Sequence, residues 1–223
     1  MDVVIAGAHG KVARLLIRRL VARGDGARGI IRRPDHAADV EADGAEPLLC
    51  DLEVADDAEV DEAVSGAEAI VFAAGAGPGS GAERKWTVDH GAAKKLIDSA
   101  GRLGVRRYVM LSSVGTDDPP QDDEVFSVYL RAKAKADEDL RAAGLDHTIV
   151  RPGRLTDEEA LGTVAVGRHV DPGAIPRDDV AAVLAAVLKE PRCLRRTFEV
   201  VSGDTPIEDA PALVERIPPD ATP

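Results

Sequence analysis

Tyr129 and Lys133 stand four residues apart in Tyr129-Leu-Arg-Ala-Lys133, a spacing that puts both side chains on one face if the stretch is helical. Such a pair can move a proton. A free phenol titrates near pH 10, so it needs help near neutrality, and an ammonium one turn away stabilises the phenolate. Just upstream, Ser112 and Ser113 follow the apolar run Tyr108-Val-Met-Leu111, where a hydroxyl can donate to a substrate carbonyl and stabilise developing negative charge. Strand alternation aims only one of the two into a cleft. Ser113 is the preferred candidate, with Ser112 assigned to the cofactor wall, and the sequence leaves that choice open.

A site for an anionic ligand lies at the other end of the chain. Residues 3–13 read Val-Val-Ile-Ala-Gly-Ala-His-Gly-Lys-Val-Ala, an apolar strand running through a Gly-x-x-Gly-x-x-Ala turn into a helix. A tight turn of this kind directs the N–H groups at the helix start, from His9, Gly10, Lys11 and Val12, toward a pyrophosphate, where the helix dipole favours negative charge. Gly7 permits the turn, Gly10 lets phosphate approach the backbone, and the small Ala13 allows close helix packing. An acidic residue at the end of the second strand is the usual mark of NAD selectivity. Here that place reads Ile31-Arg32-Arg33-Pro34. Guanidinium suits the extra 2′-phosphate of NADP, so Arg32, and secondarily Arg33, are expected to hold it, with NAD the weaker ligand. Asp51 and Leu52 fall where a loop edge lines the adenine, and Ala73, Ala74 and Gly75 where small residues admit the nicotinamide ribose.

The elements that must position these groups follow from hydrophobic periodicity. Apolar runs at residues 3–6, 29–31, 47–50, 69–73, 108–111, 148–150 and 198–201 alternate with amphipathic helical stripes such as Ala92, Ala93, Leu96, Ile97 and Ala100. Nearly all-apolar strands separated by helices predict a doubly wound, mostly parallel α/β sheet, covered on both faces. Residues 1–223 are expected to form a single domain, with 153–176 a small C-terminal appendage on the substrate side and 218–223 a frayed tail. The acidic stretch 117–124 reads as a surface loop or as a flap over a cleft. The 28 Lys and Arg against 40 Asp and Glu give a net charge of −12, which disfavours nucleic acid and anionic membranes as partners. Cys50 and Cys193 lack metal-ligand spacing, so reduced structural thiols and no metal are expected. With no apolar run of membrane-spanning length and no room for a signal peptide before the first strand, a cytoplasmic location is expected.

Together, Val4-Ile-Ala-Gly-Ala-His-Gly10, Leu111-Ser-Ser-Val-Gly115, Tyr129-Leu-Arg-Ala-Lys133 and Gly144-Leu-Asp-His-Thr-Ile-Val-Arg-Pro-Gly153 resemble the atypical short-chain dehydrogenase/reductases. The resemblance is strongest to the compact NAD(P)H-binding, epimerase-like subgroup that includes flavin and biliverdin reductase relatives. It implies a Rossmann sheet of about seven strands, NADP at the strand C-termini, a Ser113-Tyr129-Lys133 mechanism with Lys133 also on the ribose, and Pro152 and Gly153 beside the nicotinamide. Ala13 departs from the commoner third Gly, and His9 from the commoner Thr or Asn. The expected function is NADPH-dependent reduction of a small carbonyl or conjugated acceptor by a monomer or small homo-oligomer. The alternatives are a cofactor-sensing protein without turnover, because some members of this family have lost the tyrosine and act as sensors, and a sugar-nucleotide epimerase or dehydratase. The last is disfavoured by the short stretch after Pro152.

Overall fold

In β1 (Asp2–Ala6) Val3 and Ile5 enter one hydrophobic core and Val4 and Ala6 the other, as the two-residue period of a strand dictates. All four are fully buried, so this strand requires cover on both faces. The computed structural model describes residues 1–77 and 79–221. The first half of the chain consists of β1, α1 (Lys11–Ala22), β2 (Gly26–Ile31), α2 (Ala37–Ala42), β3 (Glu46–Leu49), α3 (Asp57–Val64) and β4 (Ala69–Phe72). A short α4 (Ala82–Arg84) then runs through a π-helical segment, Lys85–Ala92, into α5 (Ala93–Leu103), followed by β5 (Arg107–Leu111), α6 (Val125–Ala142) and β6 (Asp146–Pro152). The remainder holds β7 (Arg154–Thr156), β8 (Thr163–Gly167), β9 (Ala174–Pro176), α7 (Arg177–Leu188), β10 (Arg196–Ser202), β11 (Thr205–Pro206) and α8 (Ala210–Val214).

Seven strands run parallel in the order β3-β2-β1-β4-β5-β6-β10, giving the expected doubly wound Rossmann sheet. Two more extend it to nine, with β8 antiparallel to β10 and β11 antiparallel to β8. On one face Leu16, Ile17 and Leu20 of α1 share a core with Val183, Leu184 and Val187 of α7. The other face is covered by Val60 and Val64 of α3, Leu96, Ile97 and Ala100 of α5, and Ala136 and Leu140 of α6. Gly104 stops α5 in the left-handed conformation, with φ +73°.

Two sequence expectations change in detail. Within the expected appendage 153–176, β8 joins the main sheet while β7 and β9 pair in parallel beside it. The expected frayed tail is anchored as far as Asp220, whose carboxylate accepts from His147 Nε2 (2.9 Å) and Thr197 Oγ1 (2.8 Å), and whose N–H donates to Arg195 O (2.7 Å). Thr222 and Pro223, the end of that stretch, lie outside the described residues. The acidic loop is clamped at its root by Asp117 on Arg151 Nη1 (2.6 Å) and along its length by Arg131, which donates to Pro120 O and Asp122 O.

Candidate active site

From β1 the chain crosses first toward β2 and β3, then returns to β4 on the opposite side of β1. That reversal opens a crevice at the C-terminal ends of the strands, where doubly wound sheets bind ligands. A cavity of about 350 Å³ occupies it, walled by Gly7, Gly10, Arg32, Asp51, Leu52, Ala73, Ala74 and Gly75 among the expected residues. Gly7 has φ +77°, and a Cβ there would stand 2.6 Å from Ala74 Cα, so the turn is held directly against the end of β4. The Gly10 N–H donates to Gly7 O (2.8 Å), closing the turn. The start of α1 has neither a side-chain cap nor an acidic residue in its first turn, whereas α3 has a full Asp56–Glu59 capping box. The free N–H groups at the start of α1 therefore suit an anionic group, and the crevice fits a dinucleotide.

At the adenosine end of the crevice, Arg32 faces the cavity with Nη1 3.8 Å from Glu53 Oε2. Glu53 is held more firmly by Arg84 and by Thr87 Oγ1 (2.7 Å), and the Arg84 guanidinium keeps its carboxyl below the ordinary range. Arg33 turns away into a paired contact with Asp35 (2.8 Å and 3.1 Å) and does not line the cavity. His36 lines it instead. Lys11 also departs from expectation, because its ammonium pairs with Asp157 (2.5 Å) outside the crevice, leaving only its backbone at the helix start. Burial pushes the Cys50 thiol in the cavity wall upward.

The reactive end lies on α6, where Tyr129, Lys133 and Asp137 follow one another at intervals of four residues. Lys133 is buried and donates to Ala74 O and Leu111 O (both 3.2 Å), joining the ends of β4 and β5. Ser113 donates to Val114 O (3.1 Å) and lies near enough to the Tyr129 phenol to ease its titration. Ser112 is buried beside Asp137, and its hydroxyl makes no hydrogen bond among the described residues. Arg151 Nε and Nη2 reach the same carboxylate at 3.0 Å. Burial pushes the Tyr129 phenol up to about 12, with the Asp89 carboxylate adding to the rise and the nearby Ser113 opposing it.

Sequence reasoning missed Asp89 and Lys85. Asp89 is completely buried, accepts from Ala76 N (3.2 Å) and lies 3.6 Å from Lys133 Nζ, while its Oδ1 has no hydrogen bond among the described residues. Lys85 is buried too, donates to Gly77 O (2.9 Å) and lies 5.7 Å from the centre of the Tyr129 ring. Both belong to the π-helical segment, whose wide turns often mark functional sites. Pro152 and Gly153 do not line the cavity. The bare Cα of Gly153 is explained by packing instead: a side chain would run into Gly173 O and Val201.

A family model described as NAD(P)H-binding matches residues 7–191, which include the Gly7 turn, the Arg32 strand end and the whole α6 triad. The chain belongs to this NAD(P)H-binding family. It is also similar to an uncharacterized sugar epimerase, YhfK, of Bacillus subtilis, with 36% identity over 211 residues, covering 94% of this chain and 98% of that one. A solved structure from Bacillus halodurans, described as an NAD-dependent epimerase/dehydratase, superposes with a TM-score of 0.89 at 38% identity, covering 95% and 99% of the two chains. The anaerobillin reductase ChuY of Escherichia coli O157:H7 gives 0.78 at 25% identity, covering 92% and 98%. The family, its Rossmann sheet and its oxidoreductase- or epimerase-like character therefore agree with the resemblance read from the sequence. Among the described residues no cluster of His, Cys, Asp and Glu could hold a metal ion, and no helix is long and apolar enough to cross a membrane.

Proposed function

We propose that the protein is an NADP(H)-dependent oxidoreductase that reduces a small carbonyl or conjugated acceptor, with Tyr129 as proton donor. The observation that carries this reading is Lys133, one helical turn from Tyr129, donating to the carbonyl of Ala74 in the wall of a crevice that Arg32 also lines; Ser113, Tyr129 and Lys133 themselves lie outside that lining. When bound, the nicotinamide supplies the hydride. Ser113 orients the acceptor oxygen beside the phenol, and Tyr129 Oη delivers the proton as negative charge develops on that oxygen. The buried ammonium of Lys133 stabilises the phenolate left behind and lies where a ribose hydroxyl can be met. The N–H groups at the start of α1 hold the pyrophosphate, and Arg32 reads the 2′-phosphate.

The test is NADPH consumption with a panel of carbonyl, quinone and conjugated acceptors. Tyr129→Phe should leave NADPH affinity within a few-fold and lower turnover of the accepted substrate by about 10² to 10⁴, the usual worth of a positioned general acid. Turnover unchanged in that variant removes Tyr129 from the chemistry.

A second reading, sugar-nucleotide epimerisation, is favoured by the descriptions of the Bacillus relatives. It is opposed by β8, which pairs with β10 as part of the main sheet instead of building a substrate unit of its own. An epimerase returns its cofactor to the starting redox state, so stoichiometric NADPH oxidation separates the two.

A further inference from the structure

His9 and His36 stack face to face, with ring centroids 3.7 Å apart and planes 7° from parallel. Both line the crevice beside Arg32. His9 comes from the turn between β1 and α1, and His36 from the helical turn Pro34–His36 that follows β2. The fold thus brings two imidazoles from separate loops to the place where the adenosine ribose of a bound dinucleotide lies.

The charges around the stack are nearly all spoken for. Arg33 is paired with Asp35, Arg32 faces Glu53, and Arg14 of α1 is bound by Asp43 and lies 3.4 Å from Asp39. Asp39 of α2 in turn takes the His9 ring, Nε2 to Oδ2, at 2.9 Å. Among the described residues the His36 ring has no hydrogen bond. Burial, followed by the neighbouring His9 and Arg33, holds the His36 pKa below the ordinary histidine value, with Asp35 pulling the other way and Arg32 adding to the depression. Two imidazoles in van der Waals contact accept one proton far more readily than two, because a second charge would sit within ring contact of the first.

A phosphate monoester changes that balance. Its second pKa is near 6, so at neutral pH it enters as a dianion, into a site whose arginines already face carboxylates. Among the described residues, the group there best placed to gain positive charge on demand is the stack. Resting on the NADP(H) reading above, we infer that the His9–His36 stack is a proton-loaded reader of the 2′-phosphate, with His36 taking a proton from solvent as that phosphate binds. NADH lacks the group and should load no proton.

Proton uptake is measured by calorimetric titration at pH 7 in buffers of different ionisation enthalpy, using the intact protein with NADPH and with NADH. The expected result is uptake of about 0.3 to 0.8 proton with NADPH and none with NADH. In His36→Phe, which keeps a ring against His9, uptake should fall close to zero. The phosphate itself can only release protons as it meets cations, so its contribution has the opposite sign. In unaltered protein, the His36 ring resonance, identified by its loss in His36→Phe, should titrate about one unit or more higher with NADPH bound than without, and should not move with NADH. Tighter binding of NADPH than NADH without this uptake, or with the same uptake in His36→Phe, overturns the histidine inference and leaves the Arg32 reading standing. Equal binding of NADPH and NADH overturns both.

Discussion

Tyr129 is held as an acid. With the phenol pushed up to about 12 by burial and by Asp89, it stays protonated across the working range. Reduction should therefore show no loss traceable to Tyr129 below about pH 10, whereas the reverse oxidation, which needs phenolate, should climb with pH throughout. Asp89→Asn removes the negative charge beside the phenol while leaving Lys133 in place, so the alkaline rise of the oxidation profile should move down by about one unit. An unmoved kcat/KM profile shows that Asp89 is not felt at the phenol. At the far end of the crevice, Arg32→Ala should weaken NADPH by about 1.5 to 3 kcal/mol, the range for hydrogen bonds to charged groups, with little effect on NADH. Fluorescence titration of both cofactors decides it, and equal losses exclude a 2′-phosphate contact. Tyr129, Lys133 and Arg32 were legible because a helix period or a strand end places them from local sequence alone. Asp89, Lys85 and His36 were not. The first two depend on a π-helical register that shifts which side chains face inward, and His36 on a loop packing against a turn from another part of the chain. Arg33 was misplaced because Asp35, two residues on, offers it a nearer partner than any ligand.

Among the elements, the β1–α1 turn separates two roles that look alike in the sequence. Gly7 needs its left-handed backbone and its contact with Ala74, so Gly7→Ala should lower the melting temperature. Gly10 has an ordinary φ of −68°, and its missing Cβ would meet Gly7 O at 3.0 Å and Ala73 O at 4.0 Å. Gly10→Val should therefore yield folded protein that no longer binds either cofactor, because the branched side chain fills the space the pyrophosphate needs. Circular dichroism melts paired with cofactor titration check both, and unchanged affinity in folded Gly10→Val removes the turn from the site. The central strands and their helices were readable because β4 and β5 are buried along their whole length and β1 from Val3 onward, and their neighbours carry clear apolar stripes. β8 falls within the expected appendage because its pairing with β10 depends on residues more than thirty positions away, beyond the reach of local periodicity.

At the scale of the whole molecule, Asp25 draws distant parts of the chain together. Its enclosed carboxylate meets the amino terminus (2.9 Å), Arg23 at the end of α1 and Lys189 at the end of α7 (2.5 Å), and these partners hold it well below the ordinary carboxylate range. A carboxylate whose folded pKa is depressed stabilises the fold above its unfolded value and loses that contribution as pH falls. Asp25→Asn should therefore cost about 1 to 3 kcal/mol at pH 7, limited by partners that can return to water. The difference from the unaltered protein should shrink below about pH 4 in denaturant melts. The nine-stranded sheet, finally, ends in prolines. Cys50 N–H donates inward to Ile31 O, so along β3 the alternate position, Pro47, faces outward. At the opposite margin Ile207 N–H donates inward to Gly162 O, which turns Pro206 of β11 outward in the same way. Each border thus lacks a donor where an added strand would seek one. Growth by strand addition is disfavoured at both margins, which leaves helix and loop surfaces as the better ground for contact with another copy.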